Sequence, residues 1–393
     1  MILSGTLRKS TLILFFLFSF FPLGGGGLIK PLFLALTLFL YFLNVKWLKV
    51  NKASVIIYLS LLIIFLFSYI HFLYSPLYYA ASMTILNSIF VSIVIYCIAT
   101  SLIISGILSV DDLLRYIIYG LVSYVILKTV IVILIYCNIV DITIINNISP
   151  DMTSLGNIGA NGLIRIVGVN DFLLPFFYFF IDKTSIKNKR ITKAIILFAI
   201  FFSFTRSIWL GFIILIILHE IIINKKINKI LSIAIILFFT IAGFSIYTDF
   251  DLLFSIQQRL FIEGSGSSNE KFRQAILMIN KLSEQPIFGY GLGSYIPEYI
   301  RNDRLKYGYE VANLSLVMQL GIIASAILIS IMLISLFLAF RKSKKSKFDV
   351  FLIISLVAFI LFGFSNPVVM SSVSVVLYLA IMRTLDSHRS SIQ

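Results

Sequence analysis

Residues 264–295 read GSGSSNEKFRQAILMINKLSEQPIFGYGLGSY. They are the centre of a hydrophilic interruption, residues 248–313, in a chain that is otherwise lipid-soluble. Of its 393 residues 60% are hydrophobic and 12% charged, with a mean hydropathy of +1.03. A water-soluble fold of this size needs a polar coat that this composition does not supply. The chain therefore reads as a polytopic membrane protein. Lipid leaves no partner for an unpaired backbone amide, which restricts spanning segments to helices and closed barrels. The apolar runs are long and lack the two-residue alternation of a barrel strand, so the fold class expected is all-α, a membrane helix bundle.

Apolar runs long enough to cross a bilayer number about twelve, at roughly twenty residues each. They fall near 11–29, 31–45, 53–73, 83–106, 113–137, 168–182, 191–205, 207–223, 229–247, 314–340, 349–365 and 367–384. The segments 168–182 and 191–205 are short enough to tilt, re-enter or merge. The N-terminal run after Arg8 and Lys9 resembles a signal peptide, but no small-residue cleavage site follows it, and it is read as a retained first helix. Three regions result: spans one to nine over 1–247, an extracytoplasmic loop over 248–313, and spans ten to twelve with a tail over 314–393.

The net charge of +15 suggests nucleic acid until its placement is considered. Lys and Arg cluster in the short connections at Lys46–Lys52, Arg115, Lys183–Lys193, Lys225–Lys229 and Arg341–Lys347. With a cytoplasmic N-terminus all of these fall on one side, as the positive-inside rule requires. The 248–313 loop, with seven basic and eight acidic residues, then faces outward. Inside it Ser267-x-x-Glu270 reads as a capping box. Phe272, Ala275, Ile276, Ile279 and Leu282 recur behind it at helical spacing, opposite Lys271, Arg273, Gln274, Asn280 and Lys281. An amphipathic helix ending at Pro286 is expected, lying flat on the membrane surface or on the bundle. Gly289-Tyr290-Gly291-Leu292-Gly293 then makes an irregular turn.

Few side chains here offer chemistry. Arg206 stands in Ser203-Phe204-Thr205-Arg206-Ser207-Ile208-Trp209-Leu210, where two spans meet on the outer face. An arginine at mid-membrane costs about 2.5–3.5 kcal/mol. Two readings stand: a guanidinium fork for an anionic diphosphate, or a side chain snorkelling to the headgroups. Arg165, just ahead of Gly168-Val169-Asn170-Asp171, allows the same two. Arg259 and Arg273 lie in or beside the amphipathic helix, where a solvated face is the ordinary role, yet four outward arginines together argue for an anion site. Glu310, at the edge of the tenth span, is either a general base toward a hydroxyl or an acid favoured by a helix N-terminus. Asp249-Phe250-Asp251 has a metal-holding spacing that two solvated acids share. The glycine run 289–293 lacks the strand and lysine of a nucleotide loop. His71, His219 and His388 are scattered, and Cys97 and Cys137 sit inside apolar runs as packing residues. No metal and no cofactor are expected.

Taken in order, these parts resemble the O-antigen ligase / O-antigen polymerase superfamily of bacterial surface polysaccharide assembly. The resemblance is carried by Ser203 to Leu210 and by Arg273 followed by Pro286-Ile287-Phe288-Gly289-Tyr290-Gly291-Leu292-Gly293-Ser294-Tyr295. It continues through Asn313-Leu314-Ser315-Leu316-Val317-Met318-Gln319-Leu320-Gly321-Ile322 and Ser365-Asn366-Pro367. It covers roughly 195–385. It implies a glycosyltransferase-C-like fold in the bacterial cytoplasmic membrane with both termini inside. The implied activity is glycan transfer from undecaprenyl diphosphate on the outer face, without a nucleotide. Ligases of this superfamily usually carry a histidine ahead of the span starting near 314; Tyr309-Glu310-Val311-Ala312-Asn313 has none. That departure favours a polymerase and raises Glu310 as the base, beside Arg206 at the diphosphate. Arg165, Arg273, Arg259 and Tyr295 are the expected diphosphate and glycan contacts. The implied partners are the lipid-linked oligosaccharide, membrane lipid and a chain-length regulator. A ligase, or a flippase or transporter of lipid-linked oligosaccharide, is the alternative; transporters tend to show two similar halves, which this chain lacks.

Overall fold

The computed structural model describes residues 2–21, 28–44, 48, single positions between 62 and 73, 78–141, 154–158, 163–203, 205–224, 263–300, 306–343 and 347–362. The N-terminal half is built on α1 (Ile2–Phe20), α2 (Ile29–Leu43), α3 (Tyr79–Ile104) and α4 (Val110–Tyr136). α4 starts where Ser109 accepts a hydrogen bond from the Asp112 backbone N–H at 3.0 Å. Asp111 and Asp112 then stand in its first turn, where the helix dipole favours acids. α1 packs along α4, burying Leu7, Leu14 and Phe15 with Leu114, Ile117, Ile118 and Leu121. Gly120 makes the crossing possible: a Cβ there would stand 2.6 Å from the Phe16 carbonyl oxygen and 2.8 Å from Ser19 Cβ. Close backbone approach of this kind supplies the dispersion that holds helices together when lipid is the solvent. The Ser10 and Thr37 hydroxyls, 2.5 Å apart, fasten α2 to α1.

After α4 the chain makes an antiparallel hairpin, β1 (Ser154–Ile158) with β2 (Leu163–Val167), in which Gly156 stands opposite Arg165. The other described elements are helical, as the all-α reading expects, and this short hairpin is an addition to it. Leu163-Ile164-Arg165-Ile166-Val167 is rich in β-branched residues and too short for a helix turn to repeat. A 3-10 turn (Val169–Leu173), α5 (Leu174–Phe180) and a second 3-10 turn (Ile181–Lys183) follow, so the expected sixth span is a broken, short segment. α6 (Lys189–Phe201) and α7 (Arg206–His219) come next, α7 running on through a π turn to Asn224. Within the 248–313 segment lies α8 (Glu263–Glu284), and α9 (Ala312–Ser343) and α10 (Lys347–Phe362) follow.

An aromatic core joins α5, α7 and α10. The Phe179 ring lies 5.1 Å from Phe351, Phe176 lies 5.2 Å from Phe359, and Tyr178 lies 5.2 Å from Phe212. His219 packs 5.0 Å from Phe179 and 5.3 Å from Phe351, a core position. Several basic connections meet at one end of this bundle. Arg8 and Arg115 both pair with Asp112, Arg115 at 2.6 Å. Ser185 donates to Asp111 at 2.6 Å, Lys193 pairs with Asp182 at 2.7 Å, and Lys183 lies over the Phe348 ring at 4.5 Å.

Among the described residues three helices are long and apolar enough to cross a membrane: Val110–Tyr136, Ser207–Asn224 and Ala312–Ser330. Ile29–Leu43 and Val94–Ile104 are apolar but shorter. Outward-facing Leu36, Phe39 and Phe42 on α2, and Leu210 and Ile213 on α7, present to lipid what a soluble protein would hide. The expected spans near 53–73, 229–247 and 367–384 lie wholly or mostly outside the described residues, as do Asp249, Asp251, Arg259 and Ser365-Asn366-Pro367. The first helix begins nine residues ahead of its expected position and carries Arg8 within it. Cys97 is half-buried, but Cys137 is exposed at the end of α4 rather than packed.

Candidate functional site

The turn between α6 and α7 explains why Ser203, Thr205 and Trp209 accompany Arg206. The Trp209 indole N–H donates to the Ile200 and Phe201 carbonyls at 2.9 and 3.0 Å, capping orphan acceptors at the end of α6. Ser203 Oγ donates to Ile200 O at 2.8 Å, and Thr205 Oγ1 donates to Ser203 O at 2.9 Å. The Trp209 backbone N–H then closes the first turn of α7 onto Thr205 O at 3.0 Å. The motif is a staple. It sets Arg206 at the first position of a helix of membrane-spanning length, where unpaired N–H groups and the helix dipole already favour an anion.

A second arrangement joins the glycine turn to α9. Gly321 has φ 73° and ψ 175°, which breaks α9 into two helical pieces. The two hydrogen bonds that an unbroken helix would form, Ile322 N–H to Met318 O and Ile323 N–H to Gln319 O, are taken over by residues 286–291. Tyr290 N–H donates to Met318 O at 3.2 Å and Gly291 N–H to Gln319 O at 2.7 Å. Ile322 N–H donates to Pro286 O at 2.9 Å and Ile323 N–H to Ile287 O at 3.5 Å. Gln319 adds a side-chain brace, accepting from Gly293 N–H at 2.8 Å and donating to Ser315 at 2.9 Å. The turn is thus threaded into the helix break, and Leu292 packs with Leu320 and Leu86.

Glu310 lies where α8 crosses this assembly. Its backbone N–H donates to Gln274 Oε1 at 2.9 Å, and its carboxylate stands 3.6 Å from Lys271 Nζ. Gln274 is fully buried and its Nε2 donates to the Tyr299 hydroxyl at 3.4 Å. Tyrosines crowd around it. Arg273 lies over the Tyr299 ring at 5.5 Å, Tyr299 stacks on Tyr309 at 6.3 Å, and Lys306 lies over Tyr295 at 5.4 Å. Tyr295 meets Tyr78 edge to face at 5.1 Å. Burial pushes the Tyr309 phenol up to about 12, so it stays neutral while its oxygen accepts from Ile296 N–H at 2.7 Å. Hydrogen bonds from Lys281 and Tyr290 hold the Glu284 carboxyl below its usual range and tie the end of α8 to the glycine turn.

The start of α8 differs from its sequence reading: the helix begins at Glu263, four residues ahead of Ser267, so Ser267 is not its cap. Gln274 and Met278 are buried and α8 packs on α9, while Phe272, Ile276 and Ile279 are exposed, the arrangement of a helix whose apolar stripe lies on a membrane surface. Its inner face meets the Glu310 backbone N–H and the Tyr299 hydroxyl as well as Met318 and Ile296. Gln274→Ala should accordingly destabilise the region by about 1–2 kcal/mol, the cost of a lost acceptor at a partly buried amide. Denaturant unfolding in detergent with near-ultraviolet detection of the tyrosines measures it.

The structure therefore brings Glu310, Arg273 and Tyr295 into one cluster. Arg206 and Arg165 take backbone positions at a helix start and on β2, and Arg259 lies outside the described residues. Two participants were missed in the sequence: Gln274, placed on the polar face of the amphipathic helix, and Lys128, buried on α4 against Asp171; Gly321 is named within the 313–322 motif, without the break it makes in α9. Lys128 left a legible signal, since it is a lone cation deep inside an apolar run.

Together the apolar helices, the broken α9 and its threaded loop define an integral membrane protein. Residues 191–329 match the family model described as O-antigen ligase, and the resemblance to the O-antigen ligase and O-antigen polymerase superfamily holds on that segment. The match takes in the Arg206 staple, α8, the glycine turn, Glu310 and the Gly321 break. This family comprises glycosyltransferase-like membrane proteins acting on lipid-linked glycans. No curated protein matches the chain.

Proposed function

We propose that this chain polymerises lipid-linked oligosaccharide repeat units of O-antigen or capsule type on the outer face of the bacterial cytoplasmic membrane. The growing glycan moves from undecaprenyl diphosphate to the next lipid-linked unit. The observation that carries the reading is the stapled turn presenting Arg206 at the start of α7, inside the segment that matches the family. A guanidinium at a helix N-terminus suits a diphosphate, and preorganised charge in a site of low dielectric is a large lever on transition-state charge. Arg206, aided by Arg165, Arg273 and Arg259, stabilises the departing diphosphate, while Tyr295 and its neighbours contact sugar.

The acceptor hydroxyl oxygen attacks the anomeric carbon and forms the new glycosidic bond. The anomeric carbon–phosphate oxygen bond breaks, its electron pair leaves with undecaprenyl diphosphate, and the hydroxyl proton passes to Glu310. The absence of a histidine in Tyr309–Asn313 supports polymerase over ligase. Glu310→Gln is expected to lower kcat by roughly 10²–10⁴-fold with unchanged protein level, the usual worth of a positioned base. Repeat-unit incorporation in isolated membranes measures it. The function itself is tested by gel profiling of surface glycan in a deletion strain. A single repeat on the acceptor marks a polymerase, long lipid-linked chains without an acceptor mark a ligase, and accumulation on the inner face marks a flippase.

A further inference from the structure

One buried polar group takes no part in the scheme above. The Asp171 carboxylate, fully buried, accepts hydrogen bonds from Lys128 Nζ at 2.6 Å, the Tyr124 hydroxyl at 2.9 Å and the Gly168 backbone N–H at 2.8 Å. Lys128 is 9% exposed and its ammonium lies 5.5 Å from the Tyr124 ring centre. Lys128 stands 18 residues along α4 from Val110, about 27 Å at the helical rise. The group is therefore far from the Arg8–Asp112–Arg115 cluster. Beside it Asn170, also fully buried, donates to Ser19 O at 2.7 Å, and its buried Oδ1 has no hydrogen-bond partner among the described residues.

Charges at this depth are expensive to retain, and a packed apolar pair would do as well for stability alone. What the carboxylate holds is specific. Through Lys128 and Tyr124 it grips α4, and through Gly168 N–H it grips the residue that follows β2. Val167, the last residue of β2, is buried, and β2 packs on α4. Arg165 lies three residues before Gly168 on that strand. Locking Gly168 thus fixes where the hairpin leaves the bundle.

We propose that Asp171, charged and oriented by Lys128 and Tyr124, is a positioning residue that aims the β1–β2 hairpin, and with it Arg165, at the diphosphate of the lipid-linked substrate. The proposal rests on Arg165 contacting that diphosphate, as in the proposed function. A double-mutant cycle tests it in membranes containing the full chain, with lipid-linked repeat units extracted from a strain deleted for this protein as substrate. Arg165→Ala and Asp171→Asn should each raise the KM about tenfold with kcat changed less. The double variant should be no worse than Arg165→Ala alone, since coupled residues are not additive.

Multiplying effects of the two substitutions, with Arg165→Ala impaired, would overturn the positioning role and leave the Arg165 assignment standing. A wild-type KM for Arg165→Ala would instead overturn the diphosphate assignment and this proposal with it. If Asp171→Asn does not accumulate, the exchange Lys128→Asp with Asp171→Lys decides. It keeps a buried ion pair but puts a donor where Gly168 N–H needs an acceptor. The exchanged protein is expected to reach normal levels with the KM of Arg165→Ala; a wild-type KM would sink the proposal.

Discussion

Replacing Gly321 by alanine is expected to destroy the junction between the glycine turn and α9, although the substitution adds one carbon. Two effects combine. At φ 73° an L side chain costs about 1–2 kcal/mol. The added Cβ would also stand 2.3 Å from Ile287 O and 2.6 Å from Gly289 N, both backbone atoms that cannot swing aside. Relief requires withdrawal of residues 286–291, which breaks backbone hydrogen bonds worth about 1 kcal/mol each. Loss of two of them brings the total to roughly 3–4 kcal/mol. Gly289→Ala meets the same obstacle from the other side, its Cβ falling 2.4 Å from Gly321 N. Gly5→Ala is the control: a Cβ at Gly5, in α1, would meet no other described residue within 4 Å outside its own helix turn, and alanine there should be neutral or stabilising. Thermal unfolding in detergent, with limited proteolysis around 286–293, distinguishes them. A Gly321→Ala protein as stable and protease-resistant as Gly5→Ala would show that the threaded loop does not hold α9 in its broken form.

The largest functional effect belongs to Arg206. In Arg206→Lys the charge survives but the planar fork is replaced by a point charge that cannot bind two phosphate oxygens side by side. Polymerisation should fall at least about tenfold, and Arg206→Ala should cost roughly 10²–10³-fold, in line with removal of one preorganised transition-state donor. Surface glycan ladders at matched protein level report both. Trp209 separates charge from placement. It touches the α6 carbonyls rather than an anion, so its loss should loosen the turn that positions Arg206 while keeping the guanidinium charge itself. A full-length ladder from Arg206→Lys at normal abundance removes Arg206 from the site.

Arg206 stands out in the sequence because an arginine against the inside bias, beside Ser, Thr and Trp, is a local anomaly that composition alone makes visible. The role of its neighbours became clear only when Trp209 was found capping two carbonyls eight and nine residues back. Glu310 was legible as an acid at a helix start, but its companion Gln274 lies 36 residues away, a distance that periodicity cannot bridge. The amphipathic stripe of α8 is legible from its spacing, and Phe272, Ile276 and Ile279 are exposed, as a membrane-surface helix would have them. Hydropathy counts apolar residues; it does not register that Gln274, on the opposite face, is buried against a backbone donor and a tyrosine.

What the chain determined by itself was its solvent and most of its helices. Apolar runs of membrane length favour backbone amides that pair within their own segment, and Gly321 marks a place where another segment supplies the partners instead. The arrangement at Gly321, the threading of the glycine turn through the break in α9 and the burial of Lys128 against Asp171 were decided by tertiary structure alone. Each depends on a donor meeting an acceptor from a distant part of the chain, and in a medium without water such meetings are set by which helices end up side by side.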